Sequence, residues 1–304
     1  MLLSFSLPTD YRLWSLALSH GWSVLPPFRL DRSERSIAFA FTLPSQATAA
    51  VTAIQKGTTL RCRIESAATL TTHDRSSIRQ IIRSVLRIDE DLSQLHRVAR
   101  RHPRYRWVPR FGAGRILRAP SAFEDAVKMI CTTNCSWALT VLMVTRLVDG
   151  LGLAAGNQRT FPSAEAMASR PESFYRTVIR AGYRSPYLLE LARRTASGDL
   201  NLERLRTQQM STDEKLALLQ SIKGVGPYAA DNLLRLHGVY DRFAHDSWIT
   251  RVYAETYHKG RRVLDATIER RYKEFGPYRG LMYWLDMTRP WYERDQDFSQ
   301  EAVI

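Results

Sequence analysis

The chain has 304 residues, 44% hydrophobic and 24% charged, so it can bury substantial cores and lacks the composition of a disordered protein. It carries 44 lysines and arginines against 30 aspartates and glutamates, which gives a formal net charge of +14 at pH 7. No run of eighteen apolar residues and no secretory signal is recognisable, so we expect a cytoplasmic protein, associated with the nucleoid, that does not enter a membrane.

Two segments of the first hundred residues alternate apolar with small or polar side chains, as half-buried strands do. They are Ser36–Leu43 and Thr59–Ile64. In Ser76–Leu86 the apolar residues recur at helical spacing instead. We therefore predict an antiparallel sheet carrying one or two helices over residues 1–115.

The end of this predicted domain, His102–Gly114, is rich in arginine, proline and aromatic residues. Such a composition is typical of a basic, aromatic surface that contacts nucleic acid. A surface loop anchored by Trp107 and Phe111 would have the same composition. The sequence alone leaves both interpretations open.

From Ser121 onward the pattern is helical, with short apolar-periodic segments separated by Gly, Pro and Ser. The predicted helices are Ser121–Ile130, Trp137–Gly150, Ser163–Ser169, Glu172–Ala181, Ser185–Ser197, Leu202–Gln208, Thr212–Ile222, Ser247–Tyr257, Leu264–Phe275 and Tyr278–Thr288. Many short helices joined by short loops predict a globular helical domain over residues 116–304. The whole chain is therefore expected to be an α+β protein.

Residues 213–236 contain a tight turn between two apolar helical patterns, with Lys223, Gly224, Val225 and Gly226 at its centre. Both glycines can adopt positive φ and let another backbone approach closely. The turn then presents N–H groups at a helix start, a ready site for a phosphate group. A simple helix C-cap would also explain the turn, but the positive charge favours contact with DNA, RNA or an acidic membrane surface.

A single acid, Asp246, lies twenty residues after Gly226 and immediately before the predicted helix that begins at Ser247. Aspartate is among the best N-caps, so a structural role alone would explain it. The helix dipole and N–H groups would also keep this carboxylate ionised. An ionised carboxylate near a phosphate-binding turn can stabilise the oxocarbenium-like sugar that forms when a base leaves its deoxyribose.

The hairpin, its Gly-Val-Gly turn and the later aspartate resemble the signature of the helix-hairpin-helix-Gly/Pro-Asp DNA glycosylases. Three further segments resemble the 8-oxoguanine DNA glycosylase branch: Ser121–Asn134 its asparagine loop, Arg180–Pro186 its Gly-Tyr-Arg turn, and Phe275–Leu285 its closing helix. The similarity runs from Leu86 to Thr288 with the motifs in the same order. It implies an N-terminal α/β domain like the TATA-binding protein and an all-helical glycosylase domain in two subdomains.

The resemblance assigns roles to individual residues. Asp246 matches the catalytic aspartate, and the hairpin, with Lys223 beside it, matches a backbone that holds a DNA phosphate, often with a bound K⁺ or Na⁺. Asn134 matches an asparagine that fills the gap left by the flipped nucleotide. Tyr183 matches a wedge beside the orphaned base, and Arg184 an arginine that contacts that base.

The sequence departs from the 8-oxoguanine branch at its Schiff-base lysine, the second residue after the turn, where Tyr228 stands. Alkylbase glycosylases, which lack lyase activity, place an aromatic residue there, and a tyrosine cannot form an imine. Lys223 and Lys128 are the amines that could replace the lysine. Leu139 stands where a second arginine would contact an orphaned cytosine, which argues against strict specificity for 8-oxoguanine opposite cytosine.

The predicted base pocket consists of Tyr228, Tyr283, Met287, Trp248 and Asn232. Tyr283 and Met287 stand where the 8-oxoguanine branch has a glutamine and a phenylalanine. Aromatic side chains here could stack on an extruded base, including a cationic alkylated one. Trp284 lies beside them in the sequence, but core packing explains it at least as well.

The three cysteines, Cys62, Cys131 and Cys135, are too few and unsuitably spaced for a disulfide framework or a four-cysteine metal centre. We expect no iron–sulfur cluster, and no cofactor besides the monovalent cation.

Together, these motifs predict a monofunctional DNA glycosylase that acts as a monomer on double-stranded DNA containing a modified base. Two alternatives stay open: a glycosylase with lyase activity from a relocated lysine, and a protein that binds DNA without catalysis.

Overall fold

A five-stranded antiparallel sheet forms the N-terminal part of the chain in the computed structural model, which describes residues 1–295. In chain order its strands are β1 (Leu2–Ser6), β2 (Arg29–Asp31), β3 (Ser36–Thr42), β4 (Thr48–Lys56) and β5 (Thr59–Glu65). Their order across the sheet is β1-β5-β4-β3-β2, so the first strand pairs with the last. Alternate residues of β5 are buried, which is the pattern that predicted this strand.

Both predicted strands are present as β3 and β5, whereas β1, β2 and β4 were not predicted. β4 lies at the centre of the sheet and is buried on both faces for much of its length. A small second ladder of β6 (Ala154–Ala155) and β7 (Gln158–Arg159) covers one face, where Ala155 packs on Ala40 and Ala50. Strands covered on both sides lose the alternating pattern on which the sequence interpretation relied.

Short helices surround this sheet: α1 (Leu13–Ala17), α2 (Thr72–Val85), α3 (Ser93–Arg101) and α4 (Trp107–Phe111), with single 3₁₀ turns at Gly21–Val24 and Pro103–Tyr105. α2 begins four residues before the predicted start because Thr71 and Asp74 form a capping box there. Trp107 is buried, so the arginine-rich stretch before Gly114 is anchored to the core as one of its two interpretations expected.

The remainder of the described chain is almost entirely helical. It contains α5 (Ala122–Thr132), α6 (Trp137–Leu151), α7 (Ala164–Ala168), α8 (Glu172–Phe174), α9 (Ser185–Ala196), α10 (Arg204–Thr207), α11 (Thr212–Gln220), α12 (Pro227–Leu236), α13 (Ser247–His258), α14 (Asp265–Tyr272) and α15 (Arg279–Glu293). A π-helical segment follows α8 at Tyr175–Ile179, and 3₁₀ segments occur at Gly182–Arg184 and Lys273–Tyr278. The predicted α+β class, with an antiparallel domain followed by a helical one, is confirmed.

One hydrophobic cluster includes residues of the sheet and of the helices. Two indole N–H groups also link the segment after α1 to the helical part. Trp22 Nε1 donates to Asp125 Oδ1 at 2.7 Å, and Trp284 Nε1 donates to the Ser19 carbonyl at 2.8 Å. This segment therefore packs against α5 and α15. Within residues 1–295, no helix is long and apolar enough to cross a bilayer.

Candidate active site

A cleft of about 980 Å³ lies where the N-terminal segment, the loop before α6, the hairpin and the start of α13 meet. Of the predicted site residues, eight line it: Asn134, Tyr183, Gly224, Gly226, Tyr228, Asn232, Asp246 and Trp248. These residues are far apart in the sequence, and the fold brings them to one cavity. Lys223, Val225, Arg184, Tyr283 and Met287 are not among the residues that line it.

The hairpin consists of two helices, α11 and α12, joined by a tight turn, as the sequence predicts. α11 begins with a capping box formed by Ser211 and Glu214, and α12 begins with Pro227 at its first position. Within the turn, Val225 N–H donates to the Ile222 carbonyl at 3.0 Å and the valine side chain is buried. The turn is thereby fixed between two packed helices.

The two hairpin glycines differ in conformation. Gly224 has φ +89°, and a Cβ at this position would lie 2.6 Å from Tyr187 Cδ2. Gly226 has φ −82° and so does not use the freedom that glycine has to adopt positive φ. It is the N-cap of α12, and a Cβ there would meet no atom within 4 Å. Gly226 therefore leaves open space in front of the α12 N-terminus, as a bound phosphate requires.

Positive side chains lie beside the hairpin without entering the cleft. The Lys223 side chain is exposed and its Nζ lies 3.7 Å from Glu190. Arg194 Nη1 donates to the Ser221 carbonyl at 2.7 Å. Both groups add positive charge near the α12 N-terminus, which favours an anion there.

Asp246 is the N-cap of α13, and its Oδ1 accepts a hydrogen bond from Ile249 N–H at 2.7 Å. Burial raises the pKa of this carboxyl above its ordinary value, whereas the Ile249 N–H, the Tyr228 hydroxyl and the Arg235 guanidinium oppose the rise. The N–H groups at the helix start thus favour the ionised carboxylate, as the sequence analysis expects, but desolvation in the cleft is the largest influence on its pKa.

Tyr228 stands on the first turn of α12, half-buried, and faces Asp246 across the cleft. Burial raises the pKa of its phenol, and the neighbouring Asp246 charge raises it further. The neutral hydroxyl can therefore donate a hydrogen bond to the carboxylate at neutral pH. The position that holds an amine in the lyase branch thus holds a hydrogen-bond donor to the aspartate.

Asn134 and Tyr183 lie together at the edge of the cleft. Asn134 has φ +46°, and its Nδ2 donates to the Tyr183 hydroxyl at 3.4 Å. The Tyr183 ring is 47% exposed and contacts the Tyr187 ring edge-on, with centroids 6.0 Å apart. An exposed aromatic side chain at a cavity edge can insert beside a base.

Arg184 does not occupy the position that the resemblance implies. Its side chain is 3% exposed and donates to the Thr133 carbonyl, while its guanidinium lies 4.5 Å from the Tyr183 ring centroid. Arg184 therefore holds the Asn134 loop and supports Tyr183 from beneath. Arg184 does not line the cleft, so in this structure its guanidinium is not placed to contact an orphaned base.

Tyr283 and Met287 of the predicted base pocket are in the core instead. Tyr283 is fully buried, and its ring packs against Phe243 and Tyr272 with centroids 5.7 and 5.4 Å apart. Met287 is 2% exposed. α15 turns a different face toward the cleft, and the side chain that it places there is Trp284.

Sequence reasoning missed several residues of the cleft, notably His20, Trp137, Arg235 and Arg251. His20 Nε2 donates to the Leu117 carbonyl, and burial lowers the pKa of His20 to about 3, so the ring is neutral. Nothing in the local sequence marks His20 as part of a site. A signal existed for Arg235, because it is the one charged residue in the apolar run Leu233–Leu236.

Within residues 1–295, no cluster of three His, Cys, Asp or Glu side chains could hold a metal ion. A monovalent cation at the hairpin would have to be held by main-chain oxygens, since residues 221–226 contain no acid. The carbonyls of Ser221 and Ile222 already accept hydrogen bonds from Arg194 and Val225. The cation stays a prediction.

Solved structures of DNA glycosylases have the same overall fold as this chain. A 3-methyladenine DNA glycosylase from Archaeoglobus fulgidus has a TM-score of 0.74 at 18% identity, covering 94% of this chain and 98% of that one. MBOgg1 in complex with a low-affinity DNA ligand has a TM-score of 0.73 at 23% identity, covering 97% of this chain and 96% of that one. At these identities the likenesses establish the fold alone.

Sequence comparison gives a narrower match. A protein of Methanothermobacter thermautotrophicus described as a probable N-glycosylase/DNA lyase is 28% identical over 192 residues. That region covers 54% of this chain and 60% of the relative, so the match spans about three fifths of the relative's length. No protein-family model matches the chain.

Proposed function

We propose that this protein is a DNA glycosylase that flips a modified base out of duplex DNA and hydrolyses its N-glycosidic bond. The observation that carries the proposal is that Asp246 and Tyr228 line the same cleft as the hairpin glycines. A phosphate held at Gly226 would bring the sugar of a flipped nucleotide to the carboxylate. Relatives of the same fold bind DNA and act on damaged bases, which supports this assignment.

In the proposed reaction, Asp246 stabilises positive charge on the sugar and positions the attacking water. Its carboxylate is already fixed by the Ile249 N–H, so it needs little reorganisation as charge develops. The Tyr228 hydroxyl helps to keep it ionised. The product is an abasic site.

DNA is held by contacts around this centre. The α12 N-terminus and Lys223 bind the backbone, Tyr183 wedges beside the orphaned base, and Asn134 fills the gap left by the flipped nucleotide. The net charge of +14 supports a duplex partner and predicts that affinity falls steeply with salt. We propose that the protein acts as a monomer.

We further propose that the enzyme lacks lyase activity. A Schiff base requires an amine at the sugar, and the residues that line the cleft in the described chain include no lysine. Lys128 is fully buried and its Nζ lies 2.6 Å from Glu124 Oε1. Lys223 is exposed beside Glu190. The name of the archaeal relative, a probable N-glycosylase/DNA lyase, favours the alternative, in which a relocated lysine forms the Schiff base.

The test uses duplexes that each carry one modified base, incubated with the enzyme and divided between two treatments. Alkali cleaves abasic sites and so reports base release, and borohydride traps any Schiff base as a covalent adduct. We expect release from at least one duplex without an adduct. An adduct that disappears in Lys223→Ala would establish the relocated-lysine mechanism, and no release from any duplex would favour the DNA-binding protein without catalysis.

A further inference from the structure

Arg235 is a charged side chain of the cleft with unused hydrogen-bonding capacity. It is 4% exposed on α12, and its Nη1 donates to Asn232 Oδ1 at 3.2 Å. Its Nε and Nη2 are buried and have no hydrogen-bond partner in the part of the chain that the structure describes. A buried donor left unpaired costs about 1–3 kcal/mol, and more when it is charged. Two such donors on one guanidinium indicate that an acceptor from another molecule completes the site.

The orientation of this guanidinium is fixed by its neighbours. It lies 4.7 Å from the centroid of the Trp284 ring, and that ring is held by the 2.8 Å hydrogen bond from its Nε1 to the Ser19 carbonyl. Trp248 packs beside Trp284, with centroids 6.0 Å apart. Burial lowers the pKa of Arg235 to about 10 against the charges of Asp246 and Asp231, of which Asp231 also pairs with Arg242, so the guanidinium is charged at neutral pH. The cleft therefore contains a preset cationic donor on its aromatic side.

We propose that Arg235 donates hydrogen bonds from Nε and Nη2 to acceptor atoms of the extruded base, and that this contact selects bases that are neutral before they leave. The inference rests on the glycosylase function proposed above. The predicted substrate is a modified base with a carbonyl oxygen or ring nitrogen at its edge. The aromatic residues alone had suggested a cationic alkylated base instead.

The charge balance of the reaction explains the selection. When a neutral base leaves, the C1′–N bond breaks, its electron pair stays on the base nitrogen, and the base departs as an anion. Water then bonds to C1′ and its proton neutralises the base. Arg235 stabilises the anion in a site largely removed from water, where such contacts are strong. A cationic base leaves as a neutral molecule, so it gains nothing from the guanidinium and is repelled by it before the reaction.

The test compares Arg235→Gln with the wild type on matched duplexes containing hypoxanthine or 8-oxoguanine, which are neutral, and 7-methylguanine, which is cationic. Single-turnover rates of base release are measured for each. We expect the wild type to prefer a neutral base. Arg235→Gln should slow that reaction by about 100-fold, as removal of one charge-stabilising donor typically does. Its rate on 7-methylguanine should fall much less, because that leaving group develops no negative charge and Arg235 then acts only through its effect on the pKa of Asp246.

Binding to a duplex with a tetrahydrofuran abasic analogue separates this role from a structural one, since no base then occupies the cleft. We expect the affinity of Arg235→Gln for this duplex to lie within about threefold of the wild-type affinity, because the duplex offers no base for Arg235 to contact. Arg235→Lys keeps the charge without the fork, and it should recover only part of the rate on neutral bases. Equal slowing on neutral and cationic bases by either variant, or a wild type that prefers 7-methylguanine, overturns the inference alone. A wild type that releases no base overturns the proposed function with it.

Discussion

Replacing Asp246 with asparagine separates a catalytic carboxylate from a helix cap. Asparagine caps helices as well as aspartate does, so it can still accept the Ile249 N–H bond that Asp246 accepts at 2.7 Å. The substitution therefore removes the charge and little else. Asp213→Asn, an exposed acid in the first turn of α11, is the matched control.

Base release should fall strongly in Asp246→Asn. Loss of one preorganised group that stabilises transition-state charge typically costs about 2.7–4 kcal/mol, which corresponds to about 10²–10³ in rate. We expect at least a 100-fold lower single-turnover rate, on the order of that range, with binding to an abasic-analogue duplex retained. The Asp213 control should match the wild type in both assays.

The thermal stability of Asp246→Asn should rise, whereas its rate of base release falls. Burial raises the pKa of Asp246 in the folded protein, so its contribution to stability is complete below the unfolded pKa and is lost as pH rises through the folded pKa. At neutral pH the wild type thus carries a charge that the cleft disfavours, and the asparagine variant does not. Its Tm should exceed that of the wild type at pH 7.5, and the difference should shrink in acid.

Two results would refute this reasoning. Base release within about threefold of the wild type, much less than the loss of a catalytic charge, would leave Asp246 as a cap alone. A lower Tm for Asp246→Asn at pH 7.5 would mean that the ionised carboxylate stabilises the fold. Burial would then not be the dominant influence on its pKa.

Three further outcomes can be measured. Tyr228→Phe should release base about tenfold more slowly in acid yet match the wild type in alkali, because a hydrogen bond to the charged Asp246 is worth about 1.5 kcal/mol; coincident pH–rate profiles would contradict this. Gly224→Ala should lose about 1–3 kcal/mol in urea unfolding because its φ is +89°, whereas Gly226→Ala, at φ −82°, should not; equal midpoints would count against the strain. Tyr183→Ala should weaken lesion-duplex binding about tenfold in fluorescence anisotropy without lowering Tm, since its ring is 47% exposed, and unchanged affinity would exclude the wedge.

The parts of the site that could be predicted depend on neighbours in the sequence. The Gly-Val-Gly turn, the helices on either side of it and the cap at Asp246 each follow from the chemistry of about ten consecutive residues. Tyr228 was assigned to the base pocket because the resemblance puts it at the position of the lyase lysine. Local rules were sufficient for the turn and the cap, and the resemblance supplied Tyr228.

The walls of the cleft could not be predicted, because they depend on which faces of distant helices meet. α15 is apolar on several sides, so its sequence does not show that Trp284 faces the cleft while Tyr283 and Met287 face the core. Arg184 follows the expected motif, yet it is drawn beneath the loop by the Thr133 carbonyl. Only tertiary packing decides these orientations.

The hydrogen bond from Trp284 to the Ser19 carbonyl joins positions 265 residues apart in the sequence. The cleft wall made by His20 and Trp22, already held by Leu117 and Asp125, thus gains its last support when α15 docks, close to the end of the described chain. Since a chain is synthesised from its N-terminus, the hairpin and Asp246 can fold before this closing contact exists. A nascent or C-terminally truncated chain would therefore form the hairpin, which binds DNA, before it forms the complete cleft that receives a base.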